Sequence, residues 1–357
     1  AVCRRHGLRP REVGQPSRLA ELQRDLLRTG QHIPGVRLED GADLARTAAI
    51  SASSELHLAA LPADGPARPL AMPVAMLLPA GPGPFPALTI RASATCPTEL
   101  VVELRQSSRP DNHTPDVTLE RLVLPLAAGD DQPVSVHFSH AFADERYAFV
   151  CFLANEAVSL RGSERRVTGV LALTHQMNRA VAKSAVQSPP AEIGVDTFEF
   201  WQPQRRPGGH NLALLLDPPL AAFSAANVTN GIARPTRRPN AWVADPADPA
   251  PHLTLRWPEP RVIARIEIMF DPDHDHPLES VLMGHPERRM PFCVERYRLL
   301  DDAGRVLAAC DDNHHARNVI VLDGPVTTRC LRLEVEAPGA HIPAAVFELR
   351  CYASANP

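Results

Sequence analysis

Glu99-Leu-Val-Val-Glu-Leu-Arg105 alternates in character: Leu100, Val102 and Leu104 fall on one face, Glu103 and Arg105 on the other. Successive side chains of a strand point to opposite sides, so this register describes a β-strand with one apolar face. The stretch belongs to a series. Runs of the same kind occupy 56–60, 70–78, 87–94, 117–126, 134–138, 147–153 and 167–174. Between them stand turn-rich clusters such as Pro79-Ala-Gly-Pro-Gly-Pro84 and Ala127-Ala-Gly-Asp-Asp131. Many short strands at this spacing predict a β-sandwich over residues 51–180.

Residues 177–196 have little strand character and contain Ser188-Pro-Pro190, which places a domain boundary there. A second strand series follows at 253–257, 262–270, 294–300, 305–309, 319–322, 331–336 and 344–352, predicting another β domain over 196–353. Only residues 1–50 read as helical. Leu19, Leu22 and Leu26 share a helix face, Ser17 suits the N-cap and Gly30 the stop. One apolar stripe on so short a helix needs a partner surface, and residues 40–50 add a further turn or two. The expected class is therefore mainly β, a short helical segment followed by two sandwiches.

Composition narrows the function. The 357 residues are 44% hydrophobic and 22% charged, ordinary globular values. A net charge of −4 and scattered arginine doublets supply no basic stripe for nucleic acid. Lys183 is the sole lysine, so the arginines reflect coding bias more simply than phosphate recognition. No apolar run reaches the length of a membrane span. Seven cysteines without a pairing pattern favour a reducing, cytoplasmic setting. The chain begins at Ala1, in what reads as mid-helix, so a signal peptide ahead of it is not testable from this sequence.

Two resemblances follow from particular residues. Asn227-Val-Thr-Asn-Gly231, Asn240-Ala-Trp242-Val-Ala-Asp245, the strand ending at Trp257, Val262-Ile-Ala-Arg-Ile-Glu-Ile-Met-Phe270, Asp301-Asp-Ala-Gly304, Leu331-Arg-Leu-Glu-Val335 and Phe347-Glu-Leu-Arg-Cys-Tyr352 resemble the discoidin-like family (coagulation factor 5/8 type C, galactose-binding-like jelly roll). The resemblance implies a carbohydrate-binding alternative. It also implies a calcium site built on the turn at Asn230-Gly231 with Glu348 as its acid, where the family's usual aspartate is missing. Separately, the run from Ala1 to Glu12, Leu22-Gln23 and Leu26-Leu-Arg-Thr-Gly-Gln-His-Ile-Pro34 are similar to the end of the flavin domain in bacterial FAD-dependent oxidoreductases. Phe270-Asp-Pro-Asp-His-Asp-His276, His285-Pro-Glu287 and Pro291-Phe-Cys293 resemble later sequences of that family. This implies the C-terminal part of a flavoprotein, shaping the substrate side or mediating contacts with a FAD-binding domain or partner subunit. No Gly-x-Gly-x-x-Gly turn is present, so FAD is not expected on this chain alone.

The candidate ligand or interface residues are Trp201, Arg205, His210, Asn240, Trp242, His274, His276 and His285. Trp201 and Trp242 suit sugar stacking. Trp257, at a strand end, reads as core. Arg205 and His210 flank a glycine pair in a loop suited to covering a substrate. His274, His276 and His285 lie in a long 271–290 connection, and connections of that length are usually functional or disordered. Asp271, Asp273 and Glu348 are weak metal candidates, with no helical spacing to preset a coordination geometry. No catalytic triad can be assigned from spacing.

Overall fold

The computed structural model describes residues 43–108, 114–177, 199–203, 210–271 and 291–355. The predicted helix around Leu19, Leu22 and Leu26 lies outside them. The described chain is mainly β, as its alternation predicts, and forms two sandwiches.

One sheet of the first sandwich runs, edge to edge, Glu199–Pro203, Leu171–Met177, Val74–Ala80, Arg146–Phe152, Thr98–Gln106, Val117–Leu126. The other runs Asn211–Leu212, Asn155–Ser163, Ala87–Ala94, Leu214–Leu220, Leu58–Leu61, with Ala67–Leu70 and Gly129–Val136 added beside the second and third of these. Val74, Met76 and Leu78 from the first sheet meet Leu88, Ile90 and Ala92 from the second in one core. Alternation in Thr98–Gln106 is as read: Leu100, Val102 and Leu104 are buried in that core. The middle strands of the first sheet bury both faces. Val74–Ala80 is buried at every position, and Ala75, Leu77, Phe149, Cys151, Leu171 and Leu173 form a second apolar layer on the outer side, with Trp201 against it.

The second sandwich is a single wrapped sheet in the order Trp242–Val243, Ala345–Tyr352, His252–Phe270, Arg317–Val335, Tyr297–Leu300, Val306–Cys310. Its two longest strands are each 19 residues and pair with each other along most of their length. The register breaks between Arg256 and Arg261, across Pro258-Glu259-Pro260. Proline removes the ladder donor, so the strand bends there and its two halves serve two faces of the roll. Trp242, Ile266, Ile268, Phe270, Leu331 and Leu349 fill the interior.

Strand pairing divides the chain differently from the expected boundaries. The strands on either side of residues 178–198 pair with each other, Leu173 opposite Pro203 and Met177 opposite Glu199, so the first sandwich continues across that segment. It ends only at Leu220. Conversely, Ala49–Ala52 pairs with Leu253–Arg256 and belongs to the second sandwich, after a single 3-10 turn at Leu44–Thr47. The chain therefore enters the second sandwich, builds the first, and returns.

The two share a core. Ala241, Val243, Met269, Ala345 and Phe347 of the second sandwich are buried in the same cluster as Val167, Val170 and Ala172 of the first. Polar contacts cross beside them: Leu56 N–H donates to the Val243 carbonyl at 2.9 Å, Arg166 N–H to His341 at 2.9 Å, and Thr168 Oγ1 to the buried Asp271 carboxylate at 2.7 Å. Phe347→Ala should therefore destabilise the protein by about 3–5 kcal/mol, the usual cost of emptying a buried ring. Urea unfolding of the variant should remain one transition when followed separately at Trp201 and at Trp242. Distinct midpoints at the two probes would show that the seam does not couple the sandwiches.

Candidate functional site

Two places bring chemistry-bearing residues together. The first is a cleft at the seam. The stretch from Pro79 to Pro84, read as a loop, instead lays Gly83–Pro84 against Ala141–Phe142 as a two-stranded ladder. Gly83 has φ +111°, a conformation that glycine adopts without strain. Opposite stand Pro218, Pro219 and Leu220 and the short 3-10 helix Ala225–Thr229. Together they line a cleft of about 480 Å³, with Phe85 in its wall. Glu145 of the first sandwich and Arg238 of the second also line it, joined by a 2.7 Å ion pair. Ser224 caps the 3-10 helix through Ala226 N–H and also donates to Glu55 at 3.1 Å.

The second is a knot of buried charge at the turn implied as a calcium site. Glu348 is fully buried on the last strand. Its Oε2 accepts the Gly231 N–H at 3.1 Å and its Oε1 the Arg350 Nε–H at 3.3 Å. Asp43 approaches from the other end of the chain: its Oδ1 accepts Cys351 N–H at 3.0 Å and Ala45 N–H at 3.1 Å, and its Oδ2 lies 3.6 Å from Arg46 Nε. Beside them Arg265 stacks over the Tyr352 ring at 4.2 Å, and Glu267 pairs with Arg317 at 2.9 Å. A divalent cation needs free oxygen ligands. Three of the four carboxylate oxygens of Asp43 and Glu348 already accept N–H donors, and the fourth faces a guanidinium. No group of three or more His, Cys, Asp or Glu suited to a metal occurs among the described residues. Asp43 and Glu348 are thus compensated by guanidiniums and N–H groups, an arrangement that disfavours a calcium ion between them.

The sequence candidates scatter. Trp242 is fully buried and donates its indole N–H to Ser54 O at 2.8 Å, and Trp257, 4% exposed, donates to Leu44 O at 2.7 Å. Trp242 is therefore core and cannot stack on a ligand, which corrects its reading as a sugar platform. Trp201 is half-buried on the edge strand of the first sandwich, its ring 5.2 Å from that of His175. His210 is also in the first sandwich, 3.0 Å from Glu164. Asn240 is buried at φ +52°, donating to Arg234 O and Thr236 Oγ1 and accepting from Arg238 Nε, so it shapes the loop that carries Arg238. Asp271 is engaged by Thr168 across the seam. Arg205, Asp273, His274, His276 and His285 lie outside the described residues. The sequence reading missed Glu145, Arg238, Asp43 and Arg46. The only signal for the cleft was its proline density.

Electrostatics single out Glu348. Burial raises its carboxyl to about 7, against the opposing pull of Arg350 and the Gly231 N–H, while neighbouring Asp43 raises it further. Burial raises Asp43 also. Folding thus favours the protonated Glu348. Its contribution is full below about pH 4.5, falls as pH rises towards 7, and is flat above. Asp131, Asp248, Asp301 and Glu120 are shifted down by their partners, so they act in the opposite sense and at lower pH. Glu348→Gln should flatten the decline between pH 5 and 7, removing a slope worth roughly 3 kcal/mol at most. Urea midpoints measured across that window check it, and an unchanged difference between the two proteins would refute the assignment.

No family model matches the sequence, and no curated protein matches it. Similar solved structures include chitosan-binding module 1 of a chitosanase/glucanase from Paenibacillus sp. IK-5, 11% identical, over 37% of this chain and 87% of that one, at a TM-score of 0.27. The family 32 carbohydrate-binding module of Streptococcus pneumoniae EndoD is 17% identical over 32% of this chain and 77% of its own, at 0.25. CpGH89CBM32-5 from Clostridium perfringens, in complex with GalNAc-β-1,3-galactose, is 13% identical over 37% and 84%, at 0.26.

Proposed function

We propose that this chain is a binding module that holds a saccharide in the cleft at the seam between its sandwiches. The cleft itself carries the reading. Its volume of about 480 Å³ falls within the roughly 300–1,000 Å³ typical of small-molecule sites. Proline rings offer C–H surface, no N–H donor and a fixed φ, so much of the wall is stiff and apolar. A pyranose ring has matching C–H patches on its faces and hydroxyls around its rim. Glu145 and Arg238 supply an acceptor and a planar set of donors beside that surface. The shared core beneath fixes both walls before any ligand arrives, which limits the ordering cost of binding.

The sequence resemblance to flavoenzymes fits a related setting. Ala49–Ala52 is stitched into the second sandwich, so a domain attached ahead of Asp43 would be tethered beside it. In that setting FAD would supply the redox chemistry, and this chain would orient the substrate. The helical elements among the described residues are two short 3-10 turns, Leu44–Thr47 and Ala225–Thr229, and on this reading the attached domain would hold the flavin.

Isothermal titration of the full chain against galacto- and chito-oligosaccharides tests the saccharide reading. Arg238→Ala should weaken binding about tenfold, the loss of one charge-assisted hydrogen bond. Ala226→Trp, which fills the cleft, should abolish it. Binding indifferent to both changes would place the ligand elsewhere, and no binding across a broad glycan panel would remove the saccharide assignment.

A further inference from the structure

We propose that Arg46 and Arg350 do in this chain what a divalent cation does elsewhere in this fold: they balance the charge of Glu348 and Asp43, the carboxylates that tie the Asn230-Gly231 turn and residues 43–45 to the last strand. The evidence is the disagreement between the implied calcium site and the residues that stand there. Asp43 and Glu348 bring at most two negative charges, since burial favours the protonated Glu348, and Arg46 and Arg350 bring two positive ones, so the cluster has no net negative charge left to recruit a metal. Arg350 donates to Glu348 Oε1, and Gly231 points the positive end of its N–H at Oε2 of the same carboxylate.

Arg46 reaches over the turn itself. Its Nη2 lies 2.7 Å from where a Cβ on residue 231 would sit, so the glycine leaves the space that the guanidinium uses. Gly231 has φ +85°, which independently favours glycine at this point. Asn230 turns its Oδ1 inward to cap Ile232 N–H at 2.8 Å. A planar guanidinium with five donors suits such a role better than an ammonium, because it can serve several oxygens in one plane. Asp43 Oδ2 has no hydrogen-bond donor; Arg46 Nε lies 3.6 Å from it, and the charge of Arg350 also acts on the Asp43 carboxylate. The consequence is that residues 43–47 form part of the second sandwich: they replace a diffusible ion with a covalently attached cation.

The test uses the full chain. After treatment with a chelator, calcium titrated into the wild-type protein should give no saturable heat, and the melting temperature should be the same with calcium as with chelator. A calcium site filled a hundredfold above its dissociation constant would instead raise that temperature by roughly 5–10 °C. Arg46→Met, which keeps the length and removes the charge, should lower the melting temperature by roughly 1–3 °C, and Arg46→Lys should lose less. Saturable, stabilising calcium binding by the wild type would overturn the proposal, whether or not the variants fold. So would an Arg46→Met protein as stable as the wild type, or a lysine variant no better than methionine.

Discussion

Everything else in this molecule depends on one buried contact, the packing of Met269, Ala345 and Phe347 into the core of the neighbouring sandwich. A jelly roll normally gives water one face of each sheet. Here part of that outer face is apolar and is covered by Val167, Val170 and their neighbours. The two sandwiches are thereby a single hydrophobic object, and polar groups at the seam must be satisfied internally. Thr168 and Asp271 do so for each other, and the Leu56 and Val243 backbones do likewise. A groove at such a seam inherits the rigidity of both walls.

Where the outer face is not apolar, it is charged, and its charges are paired row by row. Cross-strand neighbours share a face, so Arg350 opposite Glu267 and Tyr352 opposite Arg265 set up a lattice of alternating sign. Glu103 in the first sandwich is treated in the same way, 5% exposed between Arg105 and Arg121. Burying an ion costs several kcal/mol unless another charge or several hydrogen bonds meet it. The fold meets this constraint at Glu348 only in part, which is why that carboxyl holds its proton so far above the ordinary range.

The sequence made some of this legible and hid the rest for physical reasons. Alternation is a local signal, and it located Ala87–Ala94 and Val117–Leu126 to the residue. It failed at Asn155–Ser163, where only Val158 and Leu160 mark the buried side and small or polar residues fill the rest. It does not mark Leu214–Leu220 either, where Pro218 and Pro219 interrupt the strand that lies beside Leu58–Leu61. Which strands pair is not a local property. Ala49–Ala52 finds a partner some two hundred positions away, and nothing in its own four residues names that partner. Trp242 misled for a related reason: Asn240-Ala-Trp242 has the composition of a loop tip, but a distant carbonyl, that of Ser54, satisfies the indole inside the core.

The candidate site was the least legible part because it is assembled from chain segments that have no signature separately. Proline-rich stretches at 79–86 and 218–219 each look like connections. Only their meeting across the seam makes a wall, and only then do Glu145 and Arg238 come within 2.7 Å. The same holds for Asp43 and Cys351, which are 308 positions apart and joined by one hydrogen bond. A family pattern read along the sequence could name the calcium turn and its acid. It could not foresee an arginine arriving from the opposite end of the chain. Composition around the motif reads the same whichever charges meet it, and only the three-dimensional charge balance tells them apart.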